Sequence, residues 1–327
     1  MTFLLRTDPP AAAATNRPAI RLKAHELMPL SVRTNQAAAW RAVGHLGALA
    51  ITGTALWHAL GTLWVVPLLL LHGVPLAFLF NVVHETAHQT AFRTRAWNYA
   101  FGHLAGFVIL LPYEYYRAFH WEHHRYTQDP QRDPELAVPL PRTPLGIAWV
   151  WSGVPTWVGR VRLLVGHALS GHVTVPWVPV DKRSLIVGEA RAYLLGYLVV
   201  AVAALAAASF APLWLWVLPL MAGQLFLRPY LLAEHTGCAH TADMLENTRT
   251  TYTNPLVHFF AWNMPFHAEH HAYPSVPFHA LPKLNTLLAA HIVNTERGYP
   301  ASTAAVLRHL STLARVPAPS VPERNQP

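Results

Sequence analysis

Charged residues are scarce in this chain: Asp, Glu, Lys and Arg make up 12% of its 327 residues, whereas 53% are hydrophobic. Soluble domains average about 25% charged residues, so this composition does not supply the polar surface that a soluble protein of this length needs. Intrinsic disorder is excluded for most of the chain as well, because disordered segments combine low hydrophobicity with high charge. The chain is therefore either a large apolar fold or a membrane protein.

Cysteine is nearly absent, and the first residues do not read as a secretory signal. Cys238 is the only cysteine, which excludes a secreted fold held by disulfides. Residues 1–35 lack the basic start, apolar centre and small-residue cleavage site of a signal peptide. We expect a cytoplasmic lead-in over residues 1–36, a membrane domain over 37–316 and a disordered tail over 317–327.

Two long stretches, 42–83 and 192–227, contain no Asp, Glu, Lys or Arg. At 1.5 Å per residue they correspond to about 63 and 54 Å of helix, or two crossings each of a hydrocarbon core about 30 Å thick. Turn-compatible residues at Gly61 and Pro212 interrupt them near the middle. Buried helices of a soluble protein are the alternative, but these seldom run this long without charge. We predict an all-α polytopic membrane protein with a cytoplasmic histidine-rich helical cap. Its four transmembrane helices form two hairpins, roughly 42–60 with 63–83 and 192–210 with 213–233.

The distribution of basic residues predicts the orientation. All 24 Lys and Arg lie in 1–41, 84–191 and 228–327. If both hairpins enter and leave from one side, every basic residue is cytoplasmic, as the positive-inside rule expects. We therefore expect a bacterial inner-membrane protein with cytoplasmic termini. Nucleic-acid binding is the other explanation of the net charge of +8, but the sequence contains no nucleic-acid-binding motif, so no nucleic-acid partner is expected.

Nine of the 21 histidines form a pattern. The first pair is spaced i, i+4, and two later clusters, HWEHH and HAEHH, are spaced i, i+3, i+4. These intervals place side chains on one face of a helix. The ninth histidine stands at the cytoplasmic end of the predicted fourth crossing. In chain order the nine are His84, His88, His120, His123, His124, His235, His267, His270 and His271.

Such a set of imidazoles indicates a metal site. Neutral imidazole binds zinc, copper, iron or nickel rather than calcium or magnesium. Eight or nine ligands exceed the needs of one tetrahedral ion and favour two ions, with two irons as the natural interpretation. A single HxxxH motif is weak evidence for metal binding, because many helices contain one by chance. Two additional copies of HxxHH are improbable by chance. A haem bound between helices by His45, His58 or His72 is a competing use of histidine.

Three segments resemble the histidine boxes of the integral-membrane fatty acid desaturases. They are HETAHQTAF (84–92), HWEHHRYTQDPQRDPEL (120–136) and NMPFHAEHHAYPSVPFHALPKL (263–284). The resemblance extends to LLAEHTGC (231–238) and NTRTTYTN (247–254). It implies an O₂-dependent enzyme with a non-haem di-iron centre at the cytoplasmic mouth of a four-helix bundle. The first box has three residues between its histidines, a variant found within this superfamily.

The resemblance also implies roles for residues and partners. The eight box histidines match the family's iron ligands, and His235 is the best match to a further ligand. Family members place an asparagine near the metals through water, for which Asn81 and Asn263 are the candidates. A lipid or acyl chain is the implied substrate. We expect electrons from a separate protein, such as a ferredoxin or a small haem cytochrome, because no such segment is fused to this chain.

Three glutamates, Glu85, Glu122 and Glu269, lie beside the ligands in sequence but off the ligand face. Each is expected either to accept a hydrogen bond from an imidazole N–H or to be a solvated charge, and spacing alone does not separate the two.

Two other functions compete with a desaturase. A hydroxylase or ketolase acting on a lipid, terpenoid or carotenoid starts with the same hydrogen abstraction and differs only in substrate placement. A non-catalytic metal transporter or sensor would hold metal without consuming O₂, but transporters place broken helices and polar groups at mid-membrane. Here the histidine clusters lie at the ends of the predicted crossings.

Overall fold

The computed structural model describes residues 20–315. The predicted tail 317–327 and the first 19 residues of the predicted lead-in lie outside these described residues. The helices of the described part are α1 (Ala24–Leu27), α2 (Asn35–His58), α3 (Val65–Ala87), α4 (Arg95–Val108), α5 (Tyr113–Tyr126), α6 (Pro144–Trp151), α7 (Val154–Ser170), α8 (Val180–Ala206), α9 (Leu218–Ala222), α10 (Gln224–His235), α11 (Met244–Asn247), α12 (Pro255–Phe260), α13 (His267–Ala272), α14 (Leu281–Leu288) and α15 (Tyr299–Arg315).

Three helical segments are long and apolar enough to cross a membrane: α3, α8 and Leu213–His235. The last consists of a π-helical turn, Leu213–Val217, followed by α9 and α10. These segments coincide with the predicted second, third and fourth crossings. The predicted first crossing lies in α2, a 24-residue helix that begins with polar residues and contains Arg41. The arrangement as four crossings in two hairpins stays a prediction.

The helix ends differ from the predicted ones in an informative way. The helix predicted to begin at 192 starts at Val180, and the one predicted to end at 83 continues to Ala87. Charge limits how deep a residue lies in the bilayer, but it does not end a helix in water. The extra turn of α3 matters for the site, because it contains His84. Between α2 and α3 the chain turns at Gly61, whose φ of +84° suits glycine.

Helices α3 and α9 pack with their backbones in close contact. A methyl group added at Gly73 would collide with the backbone oxygen of Pro219, and one added at Gly223 would collide with the backbone of Gly73. Small residues at such crossings let two helices approach closely within a membrane. This contact places the segment that ends in His235 directly against the helix that ends in the first histidine box.

A small parallel sheet is the exception to the all-α prediction. Strand β1 (Arg249–Tyr252) pairs with β2 (Asn294–Arg297), with Arg249 opposite Asn294. The backbone N–H of Thr251 also donates to the carbonyl of Pro265, 2.9 Å away, just before the third histidine box. The sheet therefore fixes the segment preceding α13, while the rest of the described chain is mainly helical.

Candidate metal centre

All nine predicted histidines meet at the ends of four helices. His84 lies in the last turn of α3, with His88 at its C-cap. The second cluster lies on α5, the third on α13, and the ninth histidine is the last residue of α10. All nine side chains are buried. The tertiary structure thus brings together residues that are up to 187 positions apart in the chain.

The imidazoles divide into two groups, each compact enough to hold a metal ion. The group of five contains His84, His88, His120, His124 and His270. The group of three contains His123, His235 and His271. The Nε2 atom of His267 lies 3.1 Å from that of His235, which places this ring beside the group of three.

Several ring nitrogens lie within hydrogen-bond distance of one another, but hydrogen bonds between neutral rings cannot explain all of these contacts. The Nε2 atom of His120 lies 2.7 Å from that of His88 and 3.1 Å from that of His124. The Nε2 atom of His88 lies a further 3.1 Å from that of His270. Each ring nitrogen has either one hydrogen or one lone pair, so hydrogen bonds cannot satisfy all three contacts. Two nitrogens bound to one cation at about 2.1 Å and at right angles would lie about 3 Å apart.

Buried ring nitrogens without a hydrogen-bond partner also indicate a metal site. Both ring nitrogens of His84 are buried without a hydrogen-bond partner in the part of the chain described. A buried polar atom without a partner is costly unless something else binds it. Neutral nitrogen donors suit iron, zinc, copper or nickel, so the residues present fit metal ions of this class.

Burial keeps most of these rings neutral. Among the rings outside the segments that could span a membrane, burial lowers the pKa of six well below the usual value, and the neighbouring histidines lower it further. A neutral imidazole offers its lone pair to a metal, whereas a protonated one cannot. These six are His88, His120, His124, His267, His270 and His271.

His123 differs because two carboxylates face its ring. Its Nδ1 atom lies 2.9 Å from Oδ1 of Asp133 and 3.2 Å from Oε2 of Glu135. Burial opposes protonation, but the charges of Glu135 and Asp133 and the hydrogen bond to Asp133 raise the pKa of His123 to about 8. The backbone N–H groups of Gln128 and Glu135 donate to Asp133 at 2.8 and 2.9 Å and fix its carboxylate.

Other rings are supported by groups that the sequence pattern did not identify. Nδ1 of His271 lies 3.1 Å from the Thr127 hydroxyl, and Nδ1 of His267 lies 3.6 Å from Oε1 of Glu234. Contacts of this kind orient a ligand ring and select which nitrogen faces the metal. The only signal in the sequence was their position within or next to the histidine motifs, which does not specify a contact.

Of the two expectations for the three glutamates, the contact with an imidazole is found for none of them among the hydrogen bonds and ion pairs of residues 20–315. Glu85 accepts from the Thr90 hydroxyl at 2.8 Å and from the backbone N–H of Phe278 at 3.1 Å. Glu269 accepts from the hydroxyl of Thr250 at 2.6 Å and from the amide of Asn285.

Glu122 forms an ion pair with the exposed Arg125, N to O 2.7 Å, as a surface charge would. Residues next to a ligand point about 100° away from it around the helix, so they reach other elements instead.

The two candidate asparagines also have other partners. The side-chain oxygen of Asn81 accepts from the Tyr230 hydroxyl at 3.0 Å. The Asn263 amide donates to the carbonyl of Phe278 at 3.0 Å. Among the hydrogen bonds of residues 20–315, neither amide bonds to one of the nine rings.

Comparison with known proteins places the chain beside desaturases. The family model described as "Fatty acid desaturase" matches residues 62–300. The chain is 26% identical to a dihydrorhizobitoxine desaturase of Bradyrhizobium elkanii, over 67% of this chain and 66% of that protein. It is 24% identical to a sphingolipid delta(4)-desaturase of Komagataella phaffii, over 64% and 57%. A shorter match, 31% over 88 residues, is to an sn-1 oleoyl-lipid 12-desaturase of Picosynechococcus. The chain thus spans less than two thirds of the length of these relatives.

Proposed function

This chain belongs to the fatty acid desaturase family, and on that premise we propose that it is a membrane-bound non-haem di-iron oxygenase that introduces a double bond into an acyl lipid. The reaction uses O₂ and two electrons from a separate donor protein. The observation that carries the proposal is the convergence of nine buried imidazoles, eight of which form two groups that are each compact enough to hold a metal ion. The three relatives described above are named as desaturases, and two of the names include a lipid.

Two irons are the proposed cofactors. The group of five would hold one ion, and the group of three together with His267 would hold the other. When bound, the irons supply the O₂ activation needed to break an unactivated methylene C–H bond. Imidazoles are neutral, so they leave the charge of the ions less compensated than carboxylate-rich sites do.

The protein's own residues hold the site in shape. Asp133 and Glu135 face Nδ1 of His123 and so direct its Nε2 atom toward His235, 3.3 Å away. Glu85 joins the end of α3 to the backbone of Phe278, which follows the third box. A ligand cluster fixed in this way needs no reorganisation when metal or substrate binds.

We propose that the site faces the cytoplasm of a bacterial inner membrane, with both termini on that side. Three segments long and apolar enough to span a membrane support the location. The concentration of basic residues outside the predicted crossings supports the sidedness. An acyl chain would then enter the site from the bilayer, with its reacting carbons at the cytoplasmic boundary of the apolar core.

Metal analysis tests the cofactor proposal. We expect about two irons per chain in the wild type, and clearly less in His124→Ala, which removes one of the five, and in His235→Ala, which removes one of the three. His291→Ala, an exposed histidine outside both groups, should keep the wild-type iron content. Retained helical circular dichroism in each variant separates loss of metal from loss of fold. One zinc per chain in folded wild-type protein would overturn the proposal.

Product mass tests the reaction. Iron-loaded protein in lipid bilayers, given O₂ and a reduced ferredoxin, should yield lipid that has lost two hydrogens. A product that has gained oxygen would replace the desaturase with a hydroxylase while leaving the metal centre standing. Iron retention without O₂ consumption under these conditions would indicate a non-catalytic metal protein.

A further inference from the structure

One aromatic ring connects the protein surface to the group of five. Trp121 on α5 is 41% exposed. Its ring nevertheless packs edge-to-face against His88, with centroids 4.9 Å apart, and lies 6.3 Å from the ring of His124. The two histidines are themselves buried. Trp121 thus offers a conjugated path of one side chain between solvent and two proposed iron ligands.

Two arginines flank this exposed ring along α5. Arg117 and Arg125 lie four residues before and after Trp121, on the same face of α5. Arg95 and Arg117 both donate to the Tyr99 hydroxyl, at 3.2 and 3.3 Å. The shared hydroxyl places Arg95 next to Arg117.

A second pair of arginines lies over Tyr126. The guanidinium groups of Arg125 and Arg132 lie 6.0 and 5.0 Å from the centre of its ring. We call Arg95, Arg117, Arg125 and Arg132 the arginine row.

The arginine row has an excess of positive charge. Glu114 pairs with Arg117 and Glu122 pairs with Arg125. Arg95 and Arg132 form no ion pair within residues 20–315. A surface with two uncompensated positive charges next to an exposed aromatic residue is complementary to an acidic partner.

We propose that an acidic one-electron carrier protein of the [2Fe–2S] ferredoxin class docks on the arginine row and transfers electrons through Trp121 to the group of five. This inference rests on the proposed function, since it requires iron at the site. With iron bound, each docking event would oxidise one reduced ferredoxin cluster by one electron and reduce one of the two ions from Fe³⁺ to Fe²⁺. Two docking events therefore supply the two electrons of a turnover. The rate of electron transfer falls steeply with distance. The Trp121 ring, which is exposed at the surface and contacts His88, shortens the distance from the docked carrier to the group of five.

Binding measurements test the docking surface. The probe is a plant-type ferredoxin, titrated against metal-free and iron-loaded protein in nanodiscs made from neutral lipid. We expect Arg95→Glu and Arg125→Glu each to weaken binding about tenfold at low salt, with the difference disappearing at high salt because screening removes the attraction. Arg308→Glu, an equal change of charge at an exposed site on α15, should stay within about twofold of the wild type.

Reduction kinetics test the electron path. Photoreduced ferredoxin is mixed with iron-loaded wild type, Trp121→Leu and Trp121→Phe, and dithionite is used in parallel as a small reductant that needs no docking. We expect Trp121→Leu to slow reduction by ferredoxin at least about tenfold and Trp121→Phe to retain most of the rate, since a phenyl ring can still reach His88. Iron content and reduction by dithionite should be unchanged in both variants.

The outcomes separate this inference from the proposed function. Reduction of Trp121→Leu by ferredoxin at the wild-type rate would overturn the electron path. Docking would be refuted if Arg308→Glu weakened ferredoxin binding as much as the arginine-row variants do. It would also be refuted if those variants bound ferredoxin as tightly as the wild type does. A wild-type protein that binds no iron would instead refute the proposed function, while the titration of metal-free protein would still test the docking surface.

Discussion

At the scale of single residues, the nine rings are not supported equally. His123 has two carboxylates at its Nδ1 atom, 2.9 and 3.2 Å away, and one of them, Asp133, is fixed by two backbone N–H groups. A carboxylate in this position selects the tautomer that presents Nε2 to the metal and increases the basicity of the ring. The strength of metal binding in the group of three should therefore depend on Asp133.

We expect Asp133→Asn to weaken iron binding about 10- to 100-fold, because the amide no longer provides the negative charge that supports His123. Iron retained after dialysis against increasing chelator measures the effect. Glu122→Gln is the matched control, since Glu122 also lies next to His123 in sequence but pairs with Arg125 at the surface. Equal iron loss in the two variants would contradict the specific role of Asp133.

At the scale of helices, close backbone packing sets where the histidine clusters meet. Helix α3 ends in the first box and α10 ends in His235, and the contact of Gly73 with Pro219 and Gly223 fixes the distance between the two segments. The histidine cluster on α5 contributes to both groups: His123 belongs to the group of three, and its neighbour His124 belongs to the group of five. The angle between adjacent residues on a helix therefore separates the two proposed metal positions.

Gly73→Ala should reduce stability by about 1–3 kcal/mol, because the added methyl group must displace the backbone at Pro219. Thermal unfolding in detergent, followed by circular dichroism, measures it. Gly47→Ala is the control: it is also inside a helix, but no atom lies within 4 Å of the added methyl group. That change should be neutral or stabilising by up to about 1 kcal/mol. A neutral result at Gly73 would mean that α3 and α9 are not in contact.

At the scale of the whole molecule, the arrangement of charge and apolar surface implies one functional side. The predicted turns between crossings contain no basic residue, whereas the histidine clusters lie beside the basic segments. A site at the membrane boundary can receive an apolar substrate from the bilayer and electrons from a soluble carrier. The proposed placement would account for a candidate centre at the ends of the long helices rather than at their middle.

Cysteine labelling tests this topology in a Cys238→Ser background, in which the single, buried cysteine is removed. Leu63→Cys and Phe210→Cys place a thiol at the two predicted turns, where the native side chains are 94% and 72% exposed. Both should react with a membrane-impermeant maleimide added to intact spheroplasts, whereas Arg308→Cys should react only after lysis. Labelling of Leu63→Cys only after lysis would show that α2 and α3 do not form a transmembrane hairpin.

The sequence by itself determined the helical, membrane-type composition and the identity of all nine converging histidines. These properties are local: a run without charge specifies an apolar helix, and i, i+3, i+4 spacing specifies a shared face. Helix ends were less predictable, as at Val180, because charged residues continue a helix in water.

Only the tertiary structure decided that eight of the nine rings form two groups with His267 beside the smaller one, which residues support the rings, and that Trp121 touches His88. Rings from different helices meet through interhelical packing, as at Gly73, which no spacing within one helix encodes. The support of His123 by Asp133 depends on a loop folding back on α5. The role of Glu85, which the sequence left open, was decided by its contacts with Thr90 and Phe278. Contacts between distant segments follow from the packing of the whole chain, so they could not be obtained from its local patterns.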